Sequence, residues 1–179
     1  MSVKSAIVKG GLAGGAGDII YAFIVYGPLT FGLYPSQVLQ SVAAGWVGRE
    51  ASMAGGISTV LLGLVTHFST ATVMAAIFVV AARRWPALIA QPVLWGLIYG
   101  LILYVGMNYV VVPLSAAATG HFPADFADVS ARLAKAFSAL SPKDNVPLLL
   151  GTIFTHTVLV GLPIALIARW ELSGRPVAR

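Results

Sequence analysis

The chain has 179 residues, of which 58% are apolar and only 9% charged, with no cysteine and a formal net charge of +5. Its mean hydropathy is +0.88. Soluble globular domains carry about 25% charged residues, so this composition excludes an ordinary soluble fold, and the lack of cysteine excludes disulfides, thiolate metal sites and thiol chemistry.

A transmembrane helix needs roughly 20 apolar residues to cross about 30 Å of hydrocarbon, and four stretches meet that length. The first is predicted over residues 10–33. Lys4 and Lys9 ahead of a Gly and Ala run resemble the start of a signal peptide. Asp18 interrupts the run, however, and hydrophobicity continues to Leu33, so a retained span is expected. After Pro35, Ser36 is a suitable N-cap for an amphipathic helix over 36–50. Val38, Leu39, Val42 and Trp46 would share one face, and Arg49 and Glu50 would end it in water.

The second span is predicted over 55–82 and the third over 87–112. A second amphipathic helix follows over about 123–140, where Phe122, Phe126, Val129, Leu133, Phe137 and Leu140 recur at intervals of three or four. Asp128, Arg132 and Lys135 fall between them. Each external helix either lies flat in the outer interface or packs over the bundle as a lid. The fourth span is predicted over 147–168. These elements make a single all-α membrane domain over 1–179, with four transmembrane helices.

The 11 Lys and Arg cluster at the ends of apolar runs and read as topology signals, not as a nucleic-acid surface. With the N-terminus cytoplasmic, Lys4, Lys9, Arg83, Arg84, Arg169, Arg175 and Arg179 lie inside, against Arg49, Arg132, Lys135 and Lys143 outside. That excess predicts both termini in the cytoplasm. Trp85 and Trp170 beside the arginines fit interfacial anchors.

A displacement of 85 residues brings Gly11, Leu12, Gly15, Val25, Pro28 and Leu29 onto Gly96, Leu97, Gly100, Val110, Pro113 and Leu114. It also brings Arg84 and Trp85 onto Arg169 and Trp170. Such a pattern predicts a parallel 2+2 repeat about an axis along the membrane normal, with any ligand site between the halves. Chance coincidence of glycines and prolines in apolar sequence is the alternative.

Ionisable groups at membrane depth are costly and mark candidate sites. Asp18, His67 and His156 lie about nine, twelve and nine residues into their spans, near mid-membrane at 1.5 Å per residue. Asn108 lies nearer the outside. Two imidazoles and a carboxylate at one level form a candidate proton site. Alternatively they glue the bundle through hydrogen bonds to Thr66, Ser69, Thr70, Thr155 or Thr157. No cofactor is predicted outright; haem between His67 and His156, or a divalent ion with Asp18 added, has suitable ligand types but no spacing signature. With six acids in the chain and neither a nucleophile elbow nor a phosphate loop, no catalytic site is evident.

The pairs Gly10 with Gly14, Gly11 with Gly15, and Gly96 with Gly100 have the Gly-x-x-x-Gly spacing that lets helices approach closely. They predict packing of the first span against the third, shielding Asp18 from lipid.

Thr66-His67, Leu94-Trp95-Gly96 with Gly100, Pro113-Leu114, and His156 followed by Arg169 resemble the YagU-like bacterial inner-membrane proteins, a family associated with acid resistance. The likeness touches about the last two thirds of the chain; Asp18 and the short first external loop depart from the pattern. The resemblance implies a stress-linked inner-membrane protein and supplies no catalytic residues. Three functions follow as expectations: a proton-responsive or transport-related protein, a noncatalytic assembly subunit of a membrane complex, or a bis-histidine haem electron carrier. The expected partners are the lipid bilayer and a second copy or another membrane protein, with no nucleic acid.

Overall fold

A computed structural model describes residues 2–138 and 145–173. Among the described residues the secondary structure is all-helical, and four helices are long and apolar enough to cross a membrane. These are α1 (Val3–Phe31), α4 (Gly56–Arg84), α6 (Pro92–Leu114) and α8 (Val146–Ser173). Shorter helices α2 (Pro35–Val47), α3 (Arg49–Ala54), α5 (Ala87–Ala90) and α7 (Phe126–Ser138) connect them. Leu140, Lys143, Arg175 and Arg179 lie outside the described residues.

Prolines set several boundaries that apolar periodicity alone misplaces. The third span begins at Pro92, not residue 87, because the residue before a proline is driven out of the helical region. Gln91 accordingly sits at φ −123° and ψ 65°, leaving Ala87–Ala90 as a separate turn. Pro35 opens α2 at the first helical position, so Tyr34, not Ser36, is the N-cap. The Tyr34 N–H donates to Gln37 Oε1 at 2.8 Å. Arg49 and Glu50 do not end this helix but begin α3, since Gly48 at φ +81° turns the chain between them.

Three spans also contain a π-helical turn beside a proline: Val25–Phe31 around Pro28, Gly106–Val111 before Pro113, and Thr155–Gly161 before Pro163. A proline offers no N–H to the carbonyl four residues back and its ring crowds that carbonyl. The residue just before the proline therefore reaches one position further. Val112 N–H donates to Met107 O and Leu162 N–H to Thr157 O. The α4 span has no internal proline and stays α-helical throughout.

The chain forms two compact units, and neither matches one half of the sequence. The first comprises Met1–Ile20, Phe68–Leu103 and Gly151–Arg179, the second Tyr21–His67 and Tyr104–Leu150. Each thus takes a part of all four spans.

In the first unit Ala6, Ala75, Ala82, Ala165 and Ala168 are buried with Phe78, Val79 and Ile164. Small side chains here let helix backbones approach, which is how spans gain dispersion contacts without a hydrophobic driving force. The glycines expected to join the first and third spans face other helices instead. A Cβ on Gly11 would lie 2.7 Å from Thr72 Cα, and one on Gly15 2.9 Å from Phe68, both in α4. Gly10 and Gly14 face Ile164 and Val160 of α8, Gly10 also meeting Ala75 of α4. Gly96 and Gly100 meet Leu162, Ala165, His156 and Thr157, again in α8. Small residues mark where a helix can be approached but not by which neighbour, so the predicted pairing of first and third spans is replaced by packing of both on α8. The ends of α1 and α8 are further joined by Lys9 Nζ, 2.6 Å from Oε1 of the fully buried Glu171 and 5.4 Å from the Trp170 ring.

In the second unit α2 packs along the first turns of α4. Trp46 Nε1 donates to Thr66 Oγ1 at 2.9 Å, and Gly63 leaves room for the Leu39 carbonyl. The predicted apolar face of α7 is not the buried one: Phe126 and Phe137 are exposed, Val129 and Leu133 are half-buried, and Arg132 is buried. Arg132 turns inward because its partners are there, as described next.

Candidate functional site

Asp18, in the first unit, is carried by the glycine-rich stretch of α1. Gly14 and Gly17 let this helix approach α8 closely; a Cβ on Gly17 would come within 2.9 Å of the Leu159 carbonyl. That carbonyl is the one Pro163 cannot bond, so the turn that loosens α8 also directs an oxygen toward α1. At this approach Thr155 Oγ1 donates to Asp18 Oδ1 at 3.1 Å. Thr155 is buried and opens the π-helical turn Thr155–Gly161.

The next residue is His156. Its Nδ1 lies 2.8 Å from the Thr152 carbonyl, which can only accept, so Nδ1 donates. The His156 backbone is held as well, because its carbonyl and Thr157 Cα occupy the place where a Cβ on Gly100 would project. Thr157 Oγ1 donates to Ile153 O at 2.7 Å, satisfying a carbonyl of its own helix. An acid, two hydroxyls and an imidazole are thereby fixed at one widened turn, the kind of irregularity that recurs at functional positions.

The other predicted site residues belong to the second unit. His67 is half-buried in α4, beside the Thr66 that accepts from Trp46. Asn108 lies in the π-helical turn Gly106–Val111, where its Nδ2 donates to Tyr104 O at 2.9 Å, a bond within its own helix. Among the described residues no three His, Cys, Asp or Glu side chains gather as metal ligands would, so the three-ligand set Asp18, His67 and His156 does not form.

A polar cluster in the second unit escaped the sequence reading. Arg132 donates from Nε to Asp128 Oδ1 at 2.8 Å, from Nη2 to Oδ2 at 2.9 Å, and from Nη1 to His121 O at 3.1 Å. Nη2 also approaches His121 Nδ1 at 3.3 Å. The Asp128 and Arg132 spacing of four was a legible helical ion pair; the inward turn of both was not. Hydrogen bonding from the Arg132 guanidinium holds the Asp128 carboxyl below its ordinary range, against the opposing effect of burial. A depressed carboxyl contributes stability above its unfolded pKa and loses it as pH falls through the folded one. Arg132→Gln is therefore expected to loosen α7 at neutral pH, with the difference from wild type disappearing in acid. Amide exchange across residues 121–138 at neutral and acid pH measures it, and equal protection at neutral pH would contradict it.

Comparisons with protein-family models, with curated proteins and with solved structures found no match. The functional reading consequently rests on the geometry and on the resemblance named above.

Proposed function

We propose that this chain is a nonenzymatic, multi-pass protein of a bacterial inner membrane, with both termini cytoplasmic, that responds to protons at His156 in a transport-related or acid-stress role. The observation that supports this reading is the Thr155–Asp18 bond between α8 and α1, with His156 as the adjoining residue. Proton uptake by the imidazole would add a positive charge to the helix that Thr155 ties to the Asp18-bearing α1. In this reading the change of charge alters the packing of α1 on α8 within the first unit. The excess of Lys and Arg at one set of span ends supports the orientation, and the YagU-like motifs support the compartment and the stress role.

The test uses His156→Gln and Asp18→Asn in cells and in proteoliposomes. Both variants are expected to insert and fold, and to lose the pH dependence of growth or of proton flux that wild type shows. A pH response unchanged in both would refute the proposal. A Soret band in purified wild type that disappears in His156→Gln would replace it with the haem-carrier reading.

A further inference from the structure

Outside the Asp18 and His156 region, the first unit has two open grooves, both near the C-terminal ends of spans. On α4 the residues Ala76, Ile77, Val80, Ala81, Arg84 and Trp85 line a groove of about 490 Å³. Spacings of three and four place its apolar residues in one stripe leading to Arg84. Ile77 and Val80 are each 56% exposed and Trp85 is 65% exposed. On α8 a second groove of about 390 Å³ is lined by Leu166, Arg169, Trp170 and Ser173. The displacement of 85 residues noted in the sequence carries Ala81, Arg84 and Trp85 onto Leu166, Arg169 and Trp170. Three of the four residues of the second groove thus correspond to residues of the first.

Both grooves lie on helices apolar enough to cross a membrane. In a bilayer their walls meet hydrocarbon, and the ends of the spans meet headgroups. Arg84 stands beside Arg83, and among the described residues no acid pairs with it. A guanidinium at the end of an apolar stripe offers forked donors that match phosphate geometry. The indole beside it suits the boundary between tail and headgroup. Two adjacent arginines favour a net negative headgroup over one that also carries an ammonium.

The geometry points to an anionic phospholipid as the occupant of the α4 groove, with an acyl chain along Ala76, Ile77, Val80 and Ala81 and its phosphate on Arg84. The Arg169 and Trp170 groove takes the same lipid class, although Arg169 Nη1 also donates to Ala90 O at 3.3 Å.

The experiment titrates detergent-purified full chain with phosphatidylglycerol or phosphatidylcholine and counts retained lipid by native mass spectrometry. Wild type is expected to retain phosphatidylglycerol about tenfold more tightly, as one to two arginines at a membrane surface provide. Arg84→Gln should lower that preference. Val80→Asn, which makes an exposed wall position polar and leaves both arginines, should weaken retention of phosphatidylglycerol too. Unfolding temperatures of both variants are measured alongside, and a variant that does not fold is replaced by Arg84→Ala or Ile77→Ser. Equal retention of the two lipids by wild type, or undiminished retention in folded variants of both kinds, would overturn the assignment. Displacement of the lipid by millimolar inorganic phosphate would overturn it as well, by making the arginine a free-anion site.

Discussion

Gly100→Val is expected to prevent stable packing of α6 on α8 in the first unit. A side chain at this position meets backbone, not flexible side-chain ends: the His156 carbonyl and Thr157 Cα on the facing helix. Gly161 opposite has the same restriction, its Cβ direction being filled by Gly96 O and by Gly100 N and Cα. With neither backbone able to give way by rotamer change, the helices must separate along the contact. Overpacking usually costs about 1–3 kcal/mol, and a backbone collision belongs at or above the top of that range. Denaturant titration in mixed micelles reads the loss. Gly106→Ala is the control, because nothing stands within 4 Å of its Cβ direction, and it should change stability by no more than about 1 kcal/mol. Equal behaviour of the two variants would show that the close approach does not hold the unit together.

The second large effect is expected at Gln40, in the second unit. Its side chain is buried. Nε2 lies 3.1 Å from Ser52 O, 3.3 Å from Met53 O, 3.4 Å from Gly56 O and 3.2 Å from Thr59 Oγ1. Ser52 and Met53 lie in the last turn of α3, whose carbonyls need partners from outside the helix; Ser52 O also accepts from Gly55 N–H and Thr59 Oγ1. One amide thus serves the acceptors at the junction of α3 and α4. Gln40→Leu keeps the volume and takes the amide donor from Met53 O, Ser52 O and Gly56 O, of which the last two still accept from Thr59 Oγ1; a carbonyl left unsatisfied costs about 1–3 kcal/mol. Gln40→Glu should be worse at neutral pH, because a carboxylate would face oxygens, and should recover in acid once its proton supplies a donor. In that variant burial among acceptors raises the folded pKa, so stability is present at low pH and lost as pH rises. Thermal unfolding of both variants across pH checks the sign, and a pH-independent Gln40→Glu would contradict it.

The spans were legible because twenty apolar residues in succession have few other uses. Their ends were less so. Pro92 and Gly48 act through local backbone geometry that a hydrophobic window averages away, which is why residues 87–90 merged with the third span and Arg49 looked like a helix end. The π-helical turns left no periodic trace, although Pro113 and Pro163 marked their places. Glycine spacing located the contact surfaces of α1 and α6 but not their shared neighbour, since a groove two residues wide fits any helix. Asp18 and His156 stood out as polar residues in apolar runs, whereas Thr155, which donates to Asp18, was one of several hydroxyl residues offered as hydrogen-bond partners. His121 drew no notice and Arg132 counted only as a charge outside the spans, where a polar residue is ordinary; the burial of Arg132 is what sets it apart.

The long reach of the contacts on α1 bears on how the protein is made. Lys9 finds Glu171, Gly14 finds Val160, and Asp18 finds Thr155, so α1 docks on a helix that is synthesised only after α4 and α6. The packing of the first unit is therefore completed only once α8 has been made, and until then α1 lacks these three contacts.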